Sequence, residues 1–166
     1  MLAFSSIDLL TFVHVAISLA GIVSGFVVIW GLVTGRLLER WTKFFLATTV
    51  ATSVTGFFFP ITHLTPGLVI GVVSLVLLAL TIYARYPGRL AGPWRRVYAI
   101  GAVVAQYLNF FVLIVQLFQK VPALHDAAPT QSEPPFLVAQ SLALALFIVA
   151  GSLAAVRFRA PAAGET

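Results

Sequence analysis

Two things are scarce in this chain of 166 residues: cysteine and charge. There is no cysteine, which excludes disulfide bonds, thiolate metal sites and cysteine nucleophiles. Charged residues make up only 9% of the chain and hydrophobic residues 60%, whereas an ordinary soluble domain has about 25% charged residues. This balance predicts a protein of the lipid bilayer, where helices satisfy their own backbone hydrogen bonds.

The few charged residues divide the chain into uncharged segments long enough to cross a membrane. These segments cover residues 9–35, 44–84, 97–119 and 134–156, with 27, 41, 23 and 23 residues respectively. A membrane helix needs about 20 residues, so the second segment holds two helices, with Pro60 and Pro66 favouring a turn between them. We therefore predict an all-α, polytopic transmembrane helical bundle. The single domain, residues 1–166, has five spans at about residues 9–33, 41–60, 66–85, 97–119 and 135–156.

The basic residues predict which way the bundle is oriented. Nine of the ten lie on one side of the predicted spans, and Lys120 lies on the other. The nine are Arg36, Arg40, Lys43, Arg85, Arg89, Arg95, Arg96, Arg157 and Arg159. Because lysine and arginine concentrate in short cytoplasmic loops, we expect the amino terminus outside and the carboxyl terminus in the cytoplasm. The net charge of +5 is thereby assigned to membrane orientation, and no nucleic-acid partner is expected.

The first predicted helix carries a face of polar and small residues. His14, Ser18, Gly21 and Gly25 recur at offsets of four, seven and eleven residues, which places them on one side of an α-helix. We expect that side to meet another helix. Gly21 and Gly25 form a small-xxx-small pair that permits close backbone approach. Helix packing is the interpretation we favour, and a dedicated homodimer is the alternative.

Polar stripes also follow the second and fourth predicted helices. They consist of Thr48, Thr52 and Thr55 on the second helix and of Gln106, Asn109 and Gln116 on the fourth. Threonine can bond its own helix. The three amides lie within about 80° of one another, and an unpaired amide at membrane depth costs several kcal/mol. For the threonines we favour bonds within their own helix. For the amides we favour hydrogen bonds between helices, and a ligand or ion path is the alternative.

The three histidines are the candidate binding residues. His14, His63 and His125 all fall on the predicted outer side, where they could converge with Gln116 and Gln140. Neutral imidazole binds zinc, copper and iron, so all three are candidate cofactor or metal ligands for a haem or a transition metal. Their spacing matches no local metal motif, and a haem in a membrane bundle needs two axial ligands at matched depth. We favour the competing interpretation, in which the histidines form hydrogen bonds within the protein or lie at the membrane interface.

Other reactive groups are lacking in the predicted spans. No acidic residue lies within a span, and no GxSxG, SxxK or GxxxxGK motif occurs in the chain, which argues against carboxylate, serine and phosphate chemistry. Residues 120–135 form the one sizeable polar segment and contain four prolines. We expect this segment to be extended and irregular, and to be the main surface for extramembrane contacts.

Two segments resemble known sequences. Residues 52–66, TSVTGFFFPITHLTP, and residues 120–136 are similar to parts of an uncharacterised family of small multi-pass inner-membrane proteins of bacteria. The resemblance covers most of the chain. It implies a bacterial inner-membrane location and brings no activity and no functional residue, because that family has no established function.

Three functions remain open at the level of sequence. The first is a non-enzymatic accessory or assembly subunit of a larger membrane complex, motivated by small size, small-residue helix faces and few reactive groups. The second is a haem-, metal- or quinone-associated electron-transfer protein that uses the outer histidines. The third and weakest is an oligomeric channel or carrier. In each case the lipid bilayer surrounds the chain, either as a homo-oligomer or within a larger complex.

Overall fold

The computed structural model describes residues 6–60 and 66–159, and this part of the chain contains helices and no strand. The helices are α1 (Ser6–Val33), α2 (Glu39–Gly56), α3 (Pro66–Arg85), α4 (Trp94–Lys120), α5 (Pro122–Ala127) and α6 (Pro134–Arg157). The predicted all-α class is confirmed. The second helix ends at Gly56, whereas the predicted span continued to residue 60.

Four of the described helices are long and apolar enough to cross a membrane. These segments are Ile7–Val33, Gly67–Arg85, Trp94–Lys120 and Pro134–Arg157. The helix α2 falls short because Glu39, Arg40 and Lys43 lie in its first turns and because five of its 18 residues are threonines. The fifth predicted span therefore stays a prediction.

The helix α4 lies at the centre of the bundle. It contacts α1, α3, α5 and α6, and 44% of its most apolar stretch is buried, compared with 22% in α3 and α6. Ala99, Gly101, Ala102 and Ala105 are all buried, and such small residues let neighbouring helices approach closely. Polar side chains on α4 are therefore within reach of several helices at once.

One end of the bundle is closed by contacts between the basic segments. Arg85, at the end of α3, forms an ion pair with Glu39 at the start of α2. Arg95, at the start of α4, donates a hydrogen bond to the main-chain carbonyl of Phe158. The Phe158 ring is fully buried and lies 5.7 Å from the Tyr98 ring. The bases of residues 36–43, 85–96 and 157–159 therefore share one end of the bundle, which we call the basic end.

The polar segment 120–135 departs from its predicted conformation. Residues Pro122–Ala127 form the short helix α5, which begins with proline at its first position, where the missing N–H leaves no bond unmade. The side chain of Gln131 donates to the main-chain carbonyl of Val115 in α4. The prediction of an extended segment is wrong for residues 122–127, because proline starts this helix and does not interrupt it.

Candidate functional site

The buried amide of Gln106 joins α4 to α1. Gln106 is completely buried, and its Nε2 donates to the main-chain carbonyl of Ile22 over 2.7 Å. A carbonyl oxygen can only accept a hydrogen bond, so this contact fixes which end of the amide is the nitrogen. The Oε1 atom has no conventional hydrogen-bond partner.

Gly25 supplies the space for that Oε1 atom. A Cβ at residue 25 would lie 2.0 Å from Oε1 of Gln106 and 2.9 Å from the Phe45 ring. Oε1 therefore lies no more than about 3.5 Å from the Gly25 Cα, which is the range of a Cα–H···O contact. One turn away, a Cβ at Gly21 would lie 3.3 Å from the Thr48 hydroxyl. The small-residue face of α1 is thus occupied by helices of the same chain.

Two further side chains of α4 contact α2. Asn109 donates from Nδ2 to the Thr49 hydroxyl over 3.2 Å. The Tyr98 hydroxyl lies 3.1 Å from the Thr42 hydroxyl, and Thr42, Thr49 and Tyr98 are all buried. Together with Gln106, these residues hold α4 against α1 and α2 at three levels of the bundle.

The threonine stripe predicted on the second helix bonds its own helix at two of its three positions. The hydroxyls of Thr48 and Thr55 donate to carbonyls of their own helix, and the Thr52 hydroxyl is buried without a partner. Thr42 and Thr49, which we did not select, make the contacts with α4. Their seven-residue spacing, with Phe45 and Leu46 between them, is the signal that identifies this buried face of α2.

The remaining amides do not form one continuous stripe. Gln116 is exposed, whereas Gln106 and Asn109 bind neighbouring helices. Gln140 of α6 donates from Nε2 to the main-chain carbonyl of Phe111 in α4 over 3.2 Å. Gln140 thus contributes to the packing of α6 on α4.

His14 lies beside the last turn of α2. Its Nδ1 is 2.8 Å from the Thr55 hydroxyl, and that hydroxyl donates to the Ala51 carbonyl. A hydroxyl has one hydrogen, so when Thr55 donates to Ala51 it accepts from His14; the imidazole proton is then on Nδ1 and the lone pair on Nε2. The Phe59 ring packs edge-on against the imidazole, with centroids 5.3 Å apart. Ser18, one turn along α1, donates to the His14 carbonyl.

The other two histidines lie on segments that follow α2 and α4. His63 lies outside the described residues. His125 is exposed on α5. Among the described residues, no group of three or more His, Cys, Asp or Glu side chains is placed to hold a metal ion. Of the two described histidines, His14 is the one whose ring is oriented by another side chain.

No family model, curated protein or solved structure matches the chain. Most of the polar side chains that face other helices in the described bundle bond main-chain or side-chain groups of the same chain. Two buried amide oxygens, those of Gln106 and Gln140, lack a conventional donor. The His14 ring is held through its Nδ1 by Thr55, and its Nε2 makes no hydrogen bond with the described residues.

Proposed function

We propose that this chain is a five-span protein of the bacterial inner membrane that acts as a non-enzymatic accessory or assembly subunit of a larger membrane complex. The observation that carries the proposal is that the polar side chains of α4 bond α1 and α2. Tyr98, Gln106 and Asn109 are engaged in this way. Catalysis requires reactive groups that face a substrate, whereas these groups hold a scaffold together.

The course of α2 along α1 supports a fifth span. Thr55 lies beside His14, and Leu38, just before α2, lies beside Gly31. Residues 14 and 31 are about 26 Å apart along α1 at 1.5 Å per residue, close to the roughly 30 Å of a hydrocarbon core. A helix that follows α1 over this distance crosses the same depth. Its bases are confined to the basic end, where long side chains reach the interface.

The absence of cysteine gives a direct test of this topology. We expect Phe58→Cys and Asp126→Cys to react with a membrane-impermeant maleimide added outside intact cells. Arg36→Cys and Arg89→Cys should react only after the membrane is opened, because the basic end faces the cytoplasm. Labelling of residues 36 and 58 from the same side would contradict a membrane-crossing α2.

The outer surfaces of α3 and α6 are the candidate contacts with partner subunits. Val76 is 68% exposed and Leu146 is 70% exposed, so neither side chain is covered within the chain. In the membrane, such surfaces meet either lipid or helices of other proteins. An accessory subunit would use at least one of them as its interface.

Photo-crosslinking tests that interface in the native membrane. A photoreactive amino acid is introduced at Val76 or Leu146, with buried Val103, which is 2% exposed, as the matched control. We expect a discrete adduct with a different protein from at least one exposed position and none from residue 103. Adducts with lipid alone, or with second copies alone, would contradict the proposal.

A second candidate function rests on His14. Metal-bound histidines donate their other ring N–H to a fixed acceptor, and the Thr55 hydroxyl, 2.8 Å from the His14 Nδ1, is placed to be that acceptor. An electron-transfer role with a haem, a transition metal or a quinone at Nε2 is the function that this favours. An absorption spectrum without a Soret band would exclude haem. Metal content equal to that of a His14→Ala variant would exclude a metal at this position.

A further inference from the structure

A groove lies between α4 and α6 on the surface of the bundle. Its volume is about 380 Å³. Residues of both helices line it, among them Ile100, Val104, Tyr107, Leu144, Ile148 and Ser152. Gly151 leaves the floor open, because even a Cβ there would only reach ordinary contact with Val103, at 3.5 Å. The groove is therefore an apolar slot that none of the side chains in residues 6–60 and 66–159 fills.

The groove has the length of one lipid leaflet. On α6 it extends from Leu144 to Ala155, which is about 16 Å at 1.5 Å per residue. Half of a hydrocarbon core is about 15 Å. Ala155 lies close to the basic end, since α6 finishes at Arg157. The slot therefore runs from the basic end to near the middle of the membrane.

Positive charge lies at the mouth of the groove. Arg96 is exposed and precedes Ile100 and Val103 by four and seven residues, so it lies on the groove face of α4. Arg95 binds the Phe158 carbonyl, which brings exposed Arg159 beside the first turn of α4. The acidic residue of the described part of this end, Glu39, is paired with Arg85, on the far side of α4.

We propose that this groove binds an anionic phospholipid of the leaflet at the basic end. One acyl chain occupies the slot, and the phosphate headgroup meets the exposed guanidinium groups at its mouth. Basic residues near the membrane surface attract anionic headgroups in this way. The inference rests on the proposed membrane insertion, and its test in detergent is independent of which side of the membrane the basic end faces.

A second copy of the chain fits the groove less well. Gly151 and Ala155 form a small-xxx-small pair, which helix dimers use. A two-fold dimer through this groove, however, would bring Arg96 and Arg159 of both copies together at one end. Like charges oppose that arrangement, whereas an anionic headgroup neutralises them.

Native mass spectrometry of the purified full chain in mild detergent tests the proposal. The probes are dioleoyl phosphatidylglycerol, which is anionic, and dioleoyl phosphatidylcholine, which is not. We expect a larger bound fraction of phosphatidylglycerol. Ser152→Phe fills the groove from an exposed position and should abolish the preference. Arg96→Gln should weaken phosphatidylglycerol binding about fivefold, the effect of one basic residue near an anionic surface.

Arg40→Gln is the matched control, because Arg40 is exposed at the same end but lies on α2, away from the groove. We expect it to leave phosphatidylglycerol binding unchanged. Equal losses from Arg40→Gln and Arg96→Gln would overturn the proposal in favour of diffuse attraction. Unchanged binding in Ser152→Phe would also overturn it. Conversion of a dimer to a monomer by Ser152→Phe would assign the groove to a second copy. Circular dichroism of each variant verifies its fold.

Discussion

The amide oxygen of Gln106 occupies the position that a methyl group on Gly25 would take. The separation between that oxygen and a Cβ at residue 25 would be 2.0 Å, far inside van der Waals contact. At the same time the amide nitrogen binds the Ile22 carbonyl one turn earlier in α1. Gln106 of α4 thus binds the backbone of α1 and fills the space left by the absent side chain of Gly25.

The first prediction concerns this contact. Gly25→Ala should lower the free energy of unfolding by about 1–3 kcal/mol, as overpacking of a core does, because Gln106 must leave the Ile22 carbonyl. The measurement is unfolding of the detergent-solubilised protein by a denaturing detergent. The control is Gly151→Ala, where the added Cβ meets Val103 at 3.5 Å. That variant should be unchanged or up to about 1 kcal/mol more stable, the usual gain in helix propensity.

A double-mutant cycle separates this clash from a general effect of alanine on α1. In a Gln106→Ala background, Gly25→Ala should cost at least about 1 kcal/mol less than in the wild type, because the clashing amide is gone. Equal costs in the two backgrounds would show that residues 25 and 106 do not interact.

The second prediction concerns the buried pair Tyr98 and Thr42. Tyr98→Phe and Thr42→Val should each lower the free energy of unfolding by about 0.5–1.5 kcal/mol. The coupling energy between them should be about 0.6 kcal/mol, the average for hydrogen bonds between membrane helices. Tyr83→Phe is the control, because Tyr83 is 50% exposed and should tolerate loss of its hydroxyl. A coupling energy of zero would show that the two hydroxyls do not stabilise the fold through a shared hydrogen bond.

The third prediction concerns the ion pair between Glu39 and Arg85. The Arg85 side chain is 14% exposed and the Glu39 side chain 41%, so the pair is only partly screened by water. Glu39→Gln should destabilise the protein by about 1 kcal/mol, near the upper limit for exposed pairs. The same change in an Arg85→Gln background should cost less. A Glu39→Gln variant as stable as the wild type at low salt would contradict this.

The fourth prediction concerns pH. Glu133, just before α6, accepts hydrogen bonds from the Thr130 hydroxyl and from the N–H groups of Thr130 and Ser132. Slight desolvation raises the pKa of Glu133, but these hydrogen bonds outweigh it and hold the pKa below its usual value of 4.5. The stabilisation is therefore present above pH 4.5 and is lost as pH falls through the lower, folded-state pKa.

Amide NMR shifts of Thr130 and Ser132 measure that loss. Titration downward from neutral pH should give one transition with its midpoint below 4.5, and Glu133→Gln should remove it. A midpoint at or above 4.5 would show that the hydrogen bonds do not favour the ionised carboxyl.

The helices were predictable because charge is so rare in this chain. A long uncharged stretch has few alternatives to a helix when it must lie in lipid. The uncharged segments that end just before Arg36 and Arg85 therefore located α1 and α3. The short helix α5 was not predictable in the same way. Four prolines in the segment 120–135 argued for an irregular chain, whereas Pro122 and Pro134 both stand at helix starts.

The residues that share a helix face were easier to predict than their partners. Periodicity places Gly21 and Gly25 on one side of α1, but it contains no information about which helix lies opposite. The contact of Gln106 with α1 and that of Asn109 with α2 depend on the central position of α4, which only the fold supplies. Gln116 has the same amide group and a similar angular position, yet it lies on the surface.

The central claim, that this chain is a structural subunit of a larger complex, is tested most directly by native mass spectrometry of the tagged protein extracted from its own membrane in mild detergent. The mass of the intact complex reveals protein partners and bound cofactors in the same measurement. We expect a complex with a second kind of chain in a fixed ratio, and the same complex and mass after His14→Ala. A homo-oligomer that carries a cofactor, and loses it in His14→Ala, would contradict it.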